Sequence, residues 1–310
     1  MQYNFSIIIP HYNIPQLLMR CISSIPQQND IQVLVVDDCS NSDSVAKLKE
    51  MESQFSWIQF IYQNKNLGGG AVRNKGLSLA TGKYILFIDA DDYFNYCIRD
   101  VFQQYKDSDN DIIFFNAISI DSDLYTQTYR CSHINKIFEL YKKDPAKAEF
   151  QMRYAYGEPW GKLIRRDFIE EHDIRFEETK IHNDTQFSYM AGYYAKKIAV
   201  DMRALNCITS REGSVSKQIS NDRLETRVQV FAKQFQFLHQ NHIEYLDDRI
   251  FLTFDYCEQN HLKDEEQACY KIAEEFGLSK SILQKKHRRI KLKRKIKSLK
   301  KRLSKIKKII

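Results

Sequence analysis

The stretch YILFIDADDYF (84–94) sets five mostly apolar residues, Tyr84 to Ile88, directly against Asp89, Ala90, Asp91 and Asp92. The apolar run reads as a strand buried on both faces. Three carboxylates in four positions at its end repel one another and cost free energy to desolvate. Working outward, FSIIIP (5–10), IQVLVVD (31–37), WIQFIY (57–62) and DIIFFN (111–116) are short runs of the same kind, and polar-apolar segments of helical length, such as 14–27 and 42–54, lie between them. This alternation predicts an α/β protein with a mainly parallel sheet and helices on both faces. After residue 117 it fades into aromatic-rich pieces and turns. From 222 to 277 the pattern is helical, with Val228, Phe231, Phe235 and Leu238 on one face and Gly277 closing the region.

A chain of 310 residues, 43% hydrophobic with 18 Tyr and 19 Phe, can bury a sizeable core. The opening MQYNFSIIIPHYN lacks the basic region, long apolar run and cleavage site of a secretory leader, and its seven scattered cysteines contain no Cys-x-x-Cys. Both features predict reduced thiols and a cytoplasmic protein. The net charge of +7 is unevenly spread: residues 276–310 carry twelve Lys, four Arg and no acid, which leaves −9 for the first 275.

Ligands of open α/β sheets bind at the carboxyl ends of the strands. Three features fall there: VVDDCS with Asp37 and Asp38, the Gly-rich NKNLGGGAVRNKG (64–76) with Arg73, and the acidic cluster. Asp-Asp-x-Ser also reads as a helix cap or Asx-turn, and a triple Gly as a plain turn. Three strand-end carboxylates have no such structural need, and Mg²⁺ or Mn²⁺ would relieve their repulsion. Together, an acidic strand end for a base or ribose, a close-approach Gly turn, an arginine and a metal suit a nucleotide-diphosphate donor.

In their order and spacing these motifs resemble the family-2 glycosyltransferases of the GT-A fold, especially bacterial enzymes of surface-polysaccharide synthesis. SIIIPHYN is similar to the family's opening strand and Pro-x-Tyr-Asn turn, and VVDDCS to its Asp-Asp-Gly-Ser element with Cys39 in place of Gly. NLGGGAVRNKG resembles Asn-x-Gly-x-x-x-Ala-Arg-Asn-x-Gly, with Val72 in the Ala position, and DADD resembles the metal-binding Asp-x-Asp. PWGKLIRR (159–166) resembles a Trp-x-Lys-Leu-x-Arg stretch, and REGSVS (211–216) a closing Arg-rich segment.

The resemblance implies a donor half over residues 1–117 and an acceptor and catalytic half over 118–216. A helical region (217–280) and a basic helix (281–310) follow. It further implies nucleotide contacts by Pro10, Tyr12, Asp37, Asp38, Asn66, Gly68, Arg73 and Asp89, with Asp38 on the base, expected to be uracil. Asp91 would be the main metal ligand, for Mn²⁺ or Mg²⁺, and Trp160 and Lys162 would contact the acceptor. In IHNDTQF, Asn183 stands where the family has Glu, and Asp184 would be the catalytic base. The implied activity is an inverting transfer from a UDP-sugar to a hydroxyl of a glycan or lipid-linked glycan, with no carboxylic acid needed for the leaving group. Asp184 and Trp160 also have plain readings, as a helix cap and as core.

In the tail, Leu292, Ile296, Leu299, Leu303, Ile306 and Ile310 recur at helical spacing between Lys and Arg. That pattern predicts a peripheral helix at an anionic membrane surface, at the inner face of the cytoplasmic membrane. A nucleic-acid-binding protein acting through the tail is the alternative, disfavoured by the acidic body. Another nucleotide-processing enzyme with strand-end aspartates is a second.

Overall fold

The computed structural model describes residues 3–211 and 220–306, with side chains through residue 296. The motif REGSVS beyond Arg211, and the tail's apolar stripe beyond Ile296, lie outside the described side chains. The chain divides into two compact units, Met1–Gln218 and Ile219–Ile310.

The first unit is built on an eight-stranded sheet in the order β3-β2-β1-β4-β7-β6-β8-β5. The strands are β1 (Phe5–His11), β2 (Ile31–Asp37), β3 (Ile58–Tyr62), β4 (Tyr84–Phe87), β5 (Tyr93–Phe94), β6 (Ile112–Asp121), β7 (Lys162–Arg165) and β8 (Ile198–Ser210). β3, β2, β1 and β4 are parallel. β7 then runs antiparallel to both β4 and β6, while β8 is parallel to β6 and β5 antiparallel to β8. Parallel pairing therefore holds throughout only on the N-terminal side.

Successive side chains of a strand point to opposite faces, and the central strands use both. Phe5, Ile7 and Ile9 of β1 and Val33 and Val35 of β2 join a core with helices α1 (Pro15–Ser23) and α2 (Ser42–Gln54). Ile8, Leu34, Ile85 and Phe87 face the opposite core. Helix α3 (Gly69–Leu79) covers that side through Leu77. It is joined there by α5 (Ser132–Tyr141), α6 (Pro145–Tyr154), α7 (Arg166–Glu171) and α8 (Asp184–Tyr194). On the first side α4 (Ile98–Tyr105) adds Ile98, Val101 and Phe102. The continuous apolar runs noted in the sequence are thus strands packed on two sides.

The second unit is helical: α9 (Leu224–Gln240), α10 (Phe251–Gln259), α11 (Lys263–Glu275) and α12 (Lys280–Ile306). Val228, Phe231 and Leu238 of α9 are buried, and Phe235 packs partly buried beside them. Gly277 follows α11 with φ 82°, its N–H on the Glu274 carbonyl.

One carboxylate fastens the second half of the sheet. Asp111, 5% exposed, accepts from the Arg165 guanidinium of β7 and from the N–H groups of Lys196 and Lys197, which lead into β8. Burial opposes its ionisation, but the arginine and the two N–H donors prevail and hold it below the usual carboxylate range. Its stabilisation is complete above the unfolded-state value of 3.8 and is lost as pH falls through the lower folded-state value. Asp111→Asn is therefore expected to lower unfolding free energy by about 1–3 kcal/mol at neutral pH. In urea denaturation the gap to the wild type should narrow below about pH 4.

Candidate active site

The parallel register of β1 and β2 sets His11 opposite Asp37 at the carboxyl ends of both strands. His11 Nδ1 lies 2.7 Å from Asp37 Oδ1, and His11 Nε2 accepts the Ile14 N–H at 3.2 Å. Nε2 is therefore unprotonated and Nδ1–H donates to Asp37. Asp37 also accepts the Ser40 hydroxyl and N–H. Burial works against its charge, yet the His11 and Ser40 hydrogen bonds keep its carboxyl below the usual range. Asn13 ties the same two turns together through Ser40 Oγ and the Asn41 N–H. Asp37, an expected nucleotide contact, is 2% exposed, and its hydrogen bonds to His11 and Ser40 position the two turns. Pro10 is half-buried in β1, whereas Tyr12 is 50% exposed and offers its ring to solvent.

Asp38 holds the Gly-rich turn. Its Oδ1 accepts the Leu67 N–H at 2.8 Å and its Oδ2 the Gly68 N–H at 2.9 Å, while Asn66 Nδ2 donates to the Asp38 carbonyl. Two residues on, a Cβ on Gly70 would sit 2.1 Å from the Glu177 carbonyl oxygen. Only glycine there lets α3 lie against the segment that leads to Asp184.

Arg73, on α3, is the hub. Its Nη2 donates to Asp89 Oδ1 at 2.6 Å and its Nη1 to Asn183 Oδ1 at 3.1 Å, with the guanidinium 5.6 Å from the Phe176 ring centre. Phe176 stacks on Phe187 of α8, and both meet Phe87 of β4 edge-on. The loop before α8 is thereby fixed beside the strand that carries the acids. Asp184, half-buried, opens α8 one residue after Asn183.

Oxygens of Asp89, Asp91 and Asp92 lie within 4.8 Å of one another. Asp92 is 1% exposed; its Oδ1 accepts the Thr209 N–H at 2.7 Å, and its Oδ2 is buried with no hydrogen-bond partner among the described residues. Burial, then the charges of Asp91 and Asp89, push its carboxyl well above the usual range. Arg211, just past β8, donates Nε to Asp91 Oδ2 at 3.1 Å. Arg20 of α1 donates to the carbonyls of Asp91 and Ser122. The orphaned, uncompensated oxygen and the all-carboxylate donor set fit a hard divalent cation.

The two expected acceptor contacts lie buried in the first unit. Trp160 is 5% exposed, in the second core with its ring edge-on to Tyr156. Lys162 is 3% exposed, with Nζ on the Tyr156 and Glu158 carbonyls and 4.1 Å from the Tyr156 ring centre. Arg20 and Arg211 were not assigned roles from sequence, and Asp92 was read only as one of three strand-end carboxylates. Arg211 had a faint signal in its Arg-rich motif, Asp92 in its place beside Asp-x-Asp, and Arg20 none.

Residues 6–173 match the model of the family described as "Glycosyl transferase family 2". The chain belongs to this family. Among curated relatives it is similar to the EpsH protein of Bacillus subtilis (strain 168), 27% identical over 278 residues, covering 83% of this chain and 77% of that one. It is also similar to the poly(ribitol-phosphate) beta-N-acetylglucosaminyltransferase TarS of Staphylococcus aureus (strain MW2), 25% identical over 67% of this chain; that match spans only 36% of TarS. The crystal structure of S. aureus TarS 1-349 in complex with UDP-GlcNAc superposes with TM-score 0.64 at 22% identity, over 87% of this chain and 79% of that one. A Pyrobaculum calidifontis mannosyltransferase in complex with GDP-Man and Mn²⁺ gives 0.52 at 12% identity, over 89% and 74%. The family-2 chain thus has the GT-A fold, and it is a glycosyltransferase by family.

Cys39, where the family motif has Gly, is exposed and adopts φ 61°. A side chain in the left-handed region costs about 1–2 kcal/mol, partly offset by the greater unfolded-state entropy of glycine. Cys39→Gly is expected to raise stability by roughly 0.5–1 kcal/mol in chemical denaturation, and Cys39→Val to lower it.

Proposed function

We propose that this family-2 enzyme is a metal-dependent inverting glycosyltransferase. It moves a hexose-type sugar from a UDP-sugar to a hydroxyl of a glycan or lipid-linked glycan in surface-polysaccharide synthesis. The observation that carries the reading is the Asp89–Arg73–Asn183 chain of hydrogen bonds, which ties the acidic cluster to the loop bearing Asp184. The choice of UDP is supported by the TarS structure solved with UDP-GlcNAc, and the polysaccharide setting by the TarS name.

In this reading Tyr12 stacks on the base, and Asp38 accepts from it with the lone pairs its backbone partners leave over. Pro10, Asn66 and Gly68 shape the wall. Asp91, with Asp89 and Asp92, would hold Mn²⁺ or Mg²⁺, which supplies positive charge against the departing diphosphate. Arg73 and Arg211 orient the carboxylates and add cationic charge at the same place. Asp184 takes the proton as the acceptor oxygen attacks the anomeric carbon. A new C–O bond forms there, the bond to phosphate breaks, and UDP leaves with the electron pair, inverting the centre.

Titration calorimetry with UDP, GDP and CMP, each with and without Mn²⁺, tests the donor site. UDP binding that needs Mn²⁺ and is lost in Asp91→Asn is expected, together with a Mn²⁺-dependent rise in melting temperature. UDP binding indifferent to Mn²⁺ and to Asp91→Asn would remove the metal from the reading. No nucleotide binding would remove the donor site. Asp184→Asn should keep UDP affinity while turnover falls by at least about 100-fold; unchanged turnover would transfer the base role elsewhere.

A further inference from the structure

Helix α12 shows two unlike faces over the residues whose side chains are described. On the inner face Leu283 is buried in the apolar cluster of the helical unit, Ile290 packs against it, and His287 stacks on Phe251. The basic residues on this side meet acids of the same unit. His287 and Arg294 pair with Asp255 at 2.7 and 2.6 Å, Lys291 with Glu258, and Lys286 with Asp248 at 3.4 Å.

At 100° per residue, Ile282, Lys285, Arg289, Leu292, Lys293 and Ile296 fall within one sector of about 100°, on the other side of the helix. Ile282, Leu292 and Ile296 are 49%, 59% and 44% exposed. Lys285, Arg289 and Lys293 are exposed too and enter no ion pair among the described residues. The sector holds no acid. Beside it lies a cavity of about 700 Å³ whose lining includes Ile282, Lys285, Lys286, Arg289, Lys293 and Arg294.

The acids of this unit have therefore neutralised the inward charges and left the outward ones, interleaved with apolar side chains that stay exposed among the described residues. A second copy of the helix would bring like charges together. Nucleic-acid phosphates would engage the Lys and Arg but give the Ile and Leu side chains no partner. An anionic lipid surface satisfies both, with phosphates at the cations and the acyl boundary at the apolar residues. Among the described residues no helix is long and apolar enough to cross a membrane.

We propose that the outer face of α12, beginning at Ile282, is a docking surface for an anionic lipid leaflet, the helix lying in the plane of the interface. This holds the enzyme as a peripheral protein at the inner face of the cytoplasmic membrane, and it stands independently of the donor and base assignments.

Flotation of the full chain on phosphatidylcholine vesicles, with and without one-third phosphatidylglycerol, tests it. Binding is expected only on the anionic vesicles and should weaken as salt rises. The triple substitution Lys285→Gln, Arg289→Gln, Lys293→Gln should lower partitioning by roughly 100-fold. The triple Ile282→Ser, Leu292→Ser, Ile296→Ser should lower it at least about tenfold. Both sets lie on exposed positions, so melting temperature and UDP titration should match the wild type. Equal flotation on neutral and anionic vesicles would overturn the proposal, as would full binding by the Ser variant. Salt-sensitive DNA binding indifferent to the Ser substitutions, without flotation, would give the face to nucleic acid. Self-association lost in the Ser variant, again without flotation, would give it to a second copy.

Discussion

The mutual repulsion of Asp89, Asp91 and Asp92 at the end of a buried strand is the constraint around which the first unit is arranged. Carboxylates this close cannot all stay charged in a poorly solvated place without compensation. The fold answers with three arginines from three separate elements. Arg73 of α3 binds Asp89, Arg211 after β8 binds Asp91, and Arg20 of α1 holds the Asp91 carbonyl. Among the described residues Asp92 receives the Thr209 N–H and keeps one oxygen without a hydrogen-bond partner. Even Cys21, buried beneath the cluster, is affected: burial first, and then the three acids, push its thiol up. Such a concentration of carboxylates, only partly compensated, is destabilising on its own, which is why it points to chemistry and not to packing.

Arg73 does more than neutralise. By holding Asp89 with one nitrogen and Asn183 with another, it makes the geometry of the donor strand and of the Asp184 loop depend on a single planar group. The close approach permitted by Gly70 and the Phe176–Phe187 stack on Phe87 keep that geometry fixed from below. Asn183 is a neutral partner, so Asp89 is the carboxylate that the arginine's hydrogen bonds reach.

The strands β1, β2 and β4 were legible in the sequence because burial on two faces leaves an uninterrupted apolar run. β8 was not, because its first half is only partly buried and carries Asp201 and Arg203, so no simple period survives. The motif order located the carboxyl-end crevice, but motif position does not reveal burial. Trp160 and Lys162 stand at motif positions and are buried at 5% and 3% exposed, and both Asp37 oxygens accept from His11 and Ser40, none of which the motif spelling announces. Arg20 was invisible because a single arginine on an amphipathic helix carries no spacing signal. Its role exists only once α1 lies against the end of β4.

The antiparallel strand β7 sits between β4, whose end bears the acids, and β6, which opens the second half. Its pairing with β4 consists of two residue pairs, Tyr84 with Arg165 and Ile85 with Ile164, extended by the Arg166 N–H on the Lys83 carbonyl. Only the β5–β8 contact at the sheet edge is as short, so the continuity of the sheet across its two halves rests on few backbone pairs in its middle. The Arg73 guanidinium adds a side-chain tie between the same two halves, from Asp89 after β4 to Asn183 before α8, so one group serves both charge balance and the joining of the halves.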